Sequence, residues 1–373
     1  MSPAKTQHRL FVAVSPGLEP WLALELEEMG IRGSVVPGGI ELRASAEKLW
    51  RLHHQCRLAE SIRVRLRSFR ARHFTDLSAG LTRLPWHAYL NPSLSLKVQV
   101  TCHRSRLWHS GAVAERTLAV INRRLGISEP ETTGNQQTVF VRIAGDIVQV
   151  SIDASGELLH RRGHRTAIGA APLRETLAAA MVRMLIRERK NSKRVLWDPF
   201  CGSGCLPIEW VEAQLGMDAG RSRSFAFEAW PIHDSASYAA WVQSRVPAAN
   251  QVVRAYGSDA DEAILAAAQA NAARSTIDSH CTWLFGDFEA FADTIPPDAA
   301  ILTNPPYGVR SGNLSSYSHI LERFEVLLAR RADLRPVVVL LPEPLQPWRP
   351  HLPWQCLAQF HNGGLRVQTL RLD

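Results

Sequence analysis

No apolar run in this sequence approaches the ~20 residues needed to span a bilayer, so neither a membrane-spanning helix nor a membrane partner is expected. The N-terminal stretch MSPAKTQHRLFVAVSPGLEP has a few basic residues and a short apolar segment. It lacks the long hydrophobic region and small-residue cleavage site of a secretory leader. Cysteine is scarce, with six residues scattered along 373. Cys201 and Cys205 stand close in CGSGC, but no second pair faces them at metal-knuckle spacing. Reduced thiols, a cytoplasmic location and no metal are therefore expected. Internal repeats and low-complexity tracts are absent too, so a repeat architecture is not expected.

What is present reads as an ordinary globular chain, 46% hydrophobic and 21% charged, long enough for two or three domains. Its charge is unevenly placed. The net charge is +8, yet residues 1–165 hold 23 Lys and Arg against 14 Asp and Glu, and the remainder holds 20 against 21. A basic N-terminal part beside a near-neutral remainder suggests a module that grips a polyanion next to one that does something else. A merely soluble basic surface is the plainer alternative.

Hydrophobic periodicity predicts a small α/β unit over residues 9–65: strand RLFVAVS, a helix from Leu18 to Met29 stopped by Gly30, strand GGIELRA and helix AEKLWRLHHQC. The next segment, SIRVRLRSF, alternates strictly. It predicts a strand with Arg63, Arg65 and Arg67 on one face and Ile62, Val64 and Leu66 on the other. The arginine row suits either RNA contact or a solvated edge that resists aggregation. Residues 70–160 continue as mixed α/β. They hold strand SLSLKVQVTCH, a helix closed by Gly126, and a hairpin of TVFVRIAGD with IVQVSIDAS. The Arg-rich connector HRRGHRTAIGAAP places a boundary near residue 165, and Arg161, Arg162 and Arg165 in it are candidate RNA contacts or carbonyl caps. From residue 174 strands and helices alternate through PVVVLLPE, which predicts a parallel sheet with crossover helices.

Four elements in that half carry chemistry. Asp198-Pro-Phe-Cys-Gly-Ser-Gly204 lies between a strand and a helix, where open α/β sheets bind ligands. Gly202 and Gly204 allow close backbone approach. The loop lacks the third glycine of a dinucleotide fingerprint, and its aspartate would repel a pyrophosphate but suit a cationic sulfonium. Gly257-Ser-Asp259 ends the next strand with a carboxylate placed for a ribose diol, while Asp261 is the better helix cap and leaves Asp259 free. Gly286-Asp287 ends the third strand with a carboxylate for an adenine amino group. Asn304-Pro305-Pro306-Tyr307-Gly308 follows the apolar strand AAILT. An exocyclic base amine is a poor nucleophile, because its lone pair is delocalised into the ring. The Asn304 side-chain oxygen and the Pro305 carbonyl could hold its two N–H groups, on a loop stiffened by the prolines. Tyr307 offers a face to a base removed from its stack. Guanine N2, adenine N6 and cytosine N4 all fit this chemistry.

With these residues assembled, the chain resembles the THUMP-containing class I RNA methyltransferases, most of all the bacterial 23S ribosomal RNA guanine-N2 enzymes. The likeness runs through FVAVSPGLEPWLALELEEMG, GGIELRA, LLHRRGHRTAIGAAPLRETLAAAMV, DPFCGSGCLPIEW, FAFEAWPIHD, YGSDAD, GDF and NPPYG. It implies an α/β fold: a Rossmann-like methyltransferase domain with a mostly parallel seven-stranded sheet over 166–373. A ferredoxin-like domain (1–60) and a THUMP RNA-binding domain (61–165) would precede it. It implies S-adenosyl-L-methionine as cofactor, with Asp198, Phe200, Gly202 and Gly204 at its methionine side, Asp259 at the ribose and Asp287 at the adenine. Thr176 and Leu177 would lie on the helix that closes over it, and Asn304 to Tyr307 would receive the target base. Cys205 departs from the small hydroxyl residue usual at its position. A single catalytic domain acting as a monomer on structured RNA, and hence one modification, is expected. A transfer-RNA guanine-N2 enzyme shares the plan, and a non-catalytic RNA-binding assembly factor is the reading from another class.

Overall fold

The computed structural model describes residues 7–127, 136–166, 173–186, 194–245, 252–306, 314–343, 348 and 350–373. The chain forms two compact units. One takes residues 1–14, 29–159 and 223–245; the other takes 15–28, including helix α1 (Glu19–Glu28), with 160–222 and 246–373.

The first unit is built on one sheet. Its strands are β1 (His8–Ala13), β2 (Ser34–Val36), β3 (Gly39–Ala44), β4 (Ser61–Arg70), β5 (Ser95–His103), β6 (Gln136–Ala144) and β7 (Ile147–Asp153), in the order β2-β3-β1-β4-β7-β6-β5. Strand β4, at the expected junction near residue 60, pairs antiparallel with β1 on one side and β7 on the other. One sheet thus runs through both parts that the resemblance separates. The unit's helices are α2 (Ala46–Gln55), α3 (Phe74–Thr82), α4 (Trp86–Tyr89), α5 (Ser110–Leu125) and α8 (Ser235–Gln243). Alternation in β4 buries Ile62 and Val64 and sends Arg63 and Arg65 to the opposite face. There the Arg63 guanidinium lies 3.8 Å over the Phe140 ring. Arg65 lies 4.4 Å over Phe11 and pairs with Glu41 at 3.1 Å.

Arg67 does not join them. The register moves from Arg65↔Ser151 to Arg67↔Val150, a bulge that turns Arg67 to the face of buried Val150. Strict alternation in sequence cannot show a bulge, because the extra residue is defined only by the partner strand.

The segment FAFEAWPIHD belongs to this unit as an aromatic cluster. Phe225 stacks on Phe227 at 5.5 Å, and His54 Nε2 meets the Tyr238 hydroxyl at 2.8 Å. Beneath it, His53 donates from Nδ1 to the Leu49 carbonyl (2.8 Å). Its Nε2 meets the Ser155 hydroxyl at 3.2 Å, and that same oxygen accepts from the Ile62 N–H (2.8 Å).

The second unit carries strands β8 (Val195–Asp198), β9 (Arg254–Asp259), β10 (Cys281–Phe285), β11 (Ala300–Thr303), β12 (Val337–Pro342), β13 (Gln355–Asn362) and β14 (Leu365–Leu372). Their order is β10-β9-β8-β11-β12-β14-β13. The first five are mutually parallel, and the terminal hairpin adds β14 antiparallel to β12. Helices α6 (Glu175–Leu185), α7 (Cys205–Gln214), α9 (Glu262–Arg274) and α10 (Leu314–Arg330) complete it. Trp197, Phe288, Ile301, Phe324, Leu328 and Val337 centre its core. The α/β class and the mostly parallel seven-stranded sheet are as expected. From β8 the chain moves outward first through β9 and β10, then the other way through β11 and β12. Such a reversal opens a crevice beyond the carboxyl ends of β8 and β11.

Burial pushes the His53 pKa down to about 3, so the folded state holds the ring neutral while an unfolded ring protonates near 6.5. Its stabilising contribution is complete above 6.5 and drains away as pH falls toward 3. The midpoint of urea unfolding should therefore drop more steeply on acidification in the parent chain than in His53→Asn; parallel pH profiles for the two would disprove the neutral-ring assignment.

Candidate active site

Strand β8 ends on Asp198, which is 1% exposed. Its Oδ1 accepts from the Phe200 N–H at 3.1 Å and from the Thr303 hydroxyl at 2.6 Å. Thr303 is the last residue of β11, so this bond ties the tips of two neighbouring strands directly before Asn304. Burial, with a small push from Asp259, raises the Asp198 carboxyl to about 7 against the pull of its two donors. The sequence does not mark Thr303, since a threonine closing an apolar strand carries no signal of its own.

The glycine loop turns above this carboxylate. Gly202 has φ +51°, and a Cβ there would meet nothing within 4 Å among the described residues, which leave space over the loop. Gly204 is the opposite case: at φ +82° a Cβ would come within 2.9 Å of the Trp283 ring. The first glycine leaves room for a ligand, and the second lets α7 begin against its neighbours. Phe200 packs 5.0 Å from Phe288 and 6.0 Å from Phe324.

Asp259 ends β9 half-buried, and both its oxygens are used. Oδ2 accepts from the Gly202 N–H (2.9 Å) and Oδ1 from the Asp261 N–H (3.0 Å). Asp261 is indeed the cap of α9, accepting from the Ala263 and Ile264 N–H groups. Asp259 is not left free as expected; it braces the glycine loop while keeping further lone pairs. Asp287 accepts from the Glu289 N–H and pairs with Arg323 at 2.8 Å, and Arg323 also pairs with Glu289 at 2.6 Å. An adenine amino group at Asp287 would share the carboxylate with that guanidinium.

On the loop after β11, Asn304 is half-buried, Pro305 buried and Pro306 exposed. Tyr307 lies outside the described residues. Thr176 and Leu177 are buried on α6, and the Thr176 hydroxyl has no hydrogen-bond partner among the described residues. The Cys205 thiol donates to the Leu173 carbonyl (3.4 Å) and accepts from Arg165 (3.1 Å), two bonds that a hydroxyl could also make. Burial pushes that thiol up to about 12, so it stays protonated.

The connector arginines part company. Arg161 is exposed. Arg162 is 2% exposed and faces Glu209 at 3.5 Å. Arg165 pairs with Glu175 at 3.0 Å and donates to the Leu173 carbonyl at 2.7 Å. The expectation of RNA contact at Arg162 and Arg165 is thus corrected: buried guanidinium groups pair with protein acceptors because desolvation is otherwise too costly.

A parallel sheet with this strand order, a carboxylate at three successive strand tips and an Asn-Pro-Pro loop on the next defines the methyltransferase class of α/β proteins. The family comparisons agree. Residues 162–341 match the model described as "RMKL-like, methyltransferase domain", and residues 9–63 match "RlmL ferredoxin-like domain". Residues 162–341 thus form an RlmKL-like methyltransferase domain, and residues 9–63 an RlmL-type ferredoxin-like domain. It is 30% identical over 322 residues to the "Ribosomal RNA large subunit methyltransferase K/L" of Psychromonas ingrahamii, in an alignment covering 82% of this chain and 42% of that protein. The chain therefore spans less than half the length of that relative. It is also 28% identical to slr0064 of Synechocystis, provisionally named as an RNA methyltransferase, over 87% of this chain and 86% of that one. Among solved structures, SMU.472, determined with SAH, superposes with a TM-score of 0.87 at 23% identity, covering 99% of this chain and 98% of the other. TrmN from Thermus thermophilus gives 0.69 at 20% identity, covering 98% and 99%.

A carboxyl raised to about 7 from an unfolded 3.8 keeps its proton in the folded chain while the unfolded chain loses it. Its contribution to stability therefore falls as pH rises from about 4 to about 7. The ligand-free Asp198→Asn variant should gain thermal stability relative to the parent across that window; a constant difference in melting temperature would mean that Asp198 is ionised throughout.

Proposed function

We propose that this chain transfers a methyl group from S-adenosyl-L-methionine to the exocyclic N2 amine of a guanosine in structured RNA, within large-subunit ribosomal RNA. The observation that carries the reading is the buried Thr303–Asp198 bond, which fixes the Asn304-Pro305 loop beside the cofactor carboxylate. The name of the Psychromonas relative supports ribosomal RNA as the substrate.

The residues fit the cofactor. Burial raises the Asp198 carboxyl to about 7, and a cation beside it favours the ionised form, so its place suits a cationic partner. Gly202 leaves space above the loop, Asp259 keeps lone pairs for a diol, and the orphaned Thr176 hydroxyl fits a polar ligand atom. When bound, S-adenosyl-L-methionine supplies a methyl on a sulfonium, an electrophile with a good leaving group. No strong general base is then needed before attack. The chain's task is to orient the amine and to stabilise the positive charge growing on its nitrogen. The Asn304 amide oxygen and the Pro305 carbonyl accept the two N–H groups, and Tyr307 stacks on the flipped base.

The basic first unit grips the RNA, and residues 61–165, most of which lie in it, make up the THUMP domain. Trp108, 74% exposed just before α5, adds a stacking surface there.

Asn304→Ala should lower methyl transfer by roughly 10²–10³ while leaving cofactor and RNA binding nearly intact. The assay uses methyl-labelled cofactor, RNA lacking the native modification and nucleoside analysis of the product. Full activity in the variant, or a methyl on a ring carbon or ribose oxygen, would refute the reading. Asp259→Ala should weaken cofactor binding roughly ten- to a hundredfold by calorimetry, the effect of losing a charge-assisted hydrogen bond; unchanged affinity would remove it from the cofactor site.

A further inference from the structure

Three arginines of the first unit whose side chains have neither an ion pair nor a hydrogen bond among the described residues line one cavity. They are Arg9 on β1, Arg43 on β3, and Arg32 just before β2. The cavity is about 560 Å³ and is completed by Arg65, Glu41 and Gly33. Four guanidinium groups thus surround one carboxylate, and that carboxylate is already taken by Arg65 at 3.1 Å.

The sheet register makes this concentration of charge an enforced one. Arg9 and Arg43 are direct cross-strand partners, so their side chains leave the same face of the sheet side by side. Like charges placed directly opposite on antiparallel strands repel and destabilise the pairing. Burial holds the Arg65 pKa down against the pull of Glu41, and the nearby charges of Arg9 and Arg142 lower it a little more. Gly33 contributes by what it lacks: a Cβ there would lie 2.5 Å from Ile40 Cγ2 and 2.7 Å from the Glu41 carbonyl oxygen, so glycine lets the segment carrying Arg32 lie flat against β3. Among the described residues no aromatic ring lines the cavity, so none of them gives a base a platform there. Guanidinium forks match the geometry of phosphate oxygens. A volume within the usual ligand-pocket range of ~300–1,000 Å³ exceeds what one phosphate needs.

We propose that the cavity lined by Arg9, Arg32, Arg43 and Arg65 is a phosphodiester-binding site that grips the sugar–phosphate backbone of RNA, independent of base identity and separate from the methyl-transfer residues. It rests on the RNA reading above and adds to it a second place of contact, on the ferredoxin-like domain. Removal of the anion leaves the arginines repelling one another; a bound phosphate backbone neutralises them.

The test uses the full chain, a labelled RNA stem-loop and fluorescence anisotropy over a range of NaCl concentrations. Each phosphate contact contributes about 0.7–0.9 to the slope of log affinity against log salt. The Arg9→Gln/Arg43→Gln double variant should flatten the slope by about 1.4–1.8, two such contacts. Arg330→Gln, which removes an exposed charge from the other unit, should leave it unchanged. Cofactor affinity by calorimetry should be unaltered, and the melting temperature unchanged or higher, because a repulsive pair has gone. Should the double variant fold poorly, Arg32→Gln, which lies outside the strands, carries the test with a flattening of about 0.7–0.9. If the parent binds RNA with a steep salt dependence and neither variant changes it, the site is wrong and the RNA reading stands. If the parent shows no salt-dependent RNA binding, both fall. If the variants lose inorganic pyrophosphate but keep RNA, the cavity serves a small anion and the proposal is overturned.

Discussion

The hydrogen bond from the Thr303 hydroxyl to Asp198 joins two strand tips that lie 105 residues apart in the chain. It sits where the strand order reverses, so it spans the one crevice that a parallel sheet of this kind opens to a ligand. The glycine loop starts from Asp198, and the Asn-Pro-Pro loop starts from Thr303. A shift of either strand by one residue would swap faces and break the bond. The positions of both loops therefore follow from the register of β8 against β11.

A second layer of bracing surrounds that bond. Asp259 spends one lone pair on the Gly202 N–H and another on the Asp261 N–H, linking the tip of β9 to the glycine loop. Trp197 donates from Nε1 to the Ser258 hydroxyl (3.1 Å), and the Cys201 N–H donates to the Ser258 carbonyl (3.0 Å). Three neighbouring tips are thus held together, and at Trp197, Ser258, Asp198 and Thr303 the side chains joined would otherwise be buried without these partners. Such a site arrives at its ligand already arranged, which is the condition for electrostatic catalysis.

Charge is handled differently in the two units. In the second, buried charges are matched, as with Arg162 and Glu209 or Arg165 and Glu175. In the first, Arg63 and Arg65 are stacked on phenyl rings, and the arginines around the cavity on β1 and β3 remain exposed and unmatched. Desolvation forces the first pattern, since an unpaired interior charge is too costly. Exposure permits the second, and an excess of cations at a surface is then available to a polyanion.

The sequence by itself determined the class of each half. Period-two and period-3.6 patterning is local, so β4, α5 closed by Gly126, the β6–β7 hairpin and the alternating strands from residue 195 are legible without tertiary information. The motifs at the tips of β8, β9 and β11 are legible for the same reason, since glycine, proline and aspartate act on their own backbone. The terminal β13–β14 hairpin is not legible in this way, because its antiparallel place beside β12 is set by a partner and not by its own pattern. The same limit hid the bulge that turns Arg67 away, the role of Thr303, the second bond on Asp259 and the burial of Arg162 and Arg165. Only the tertiary structure could decide these, because a hydrogen bond, an ion pair or a burial belongs to two segments at once, and one stretch of sequence specifies only its own half of the contact.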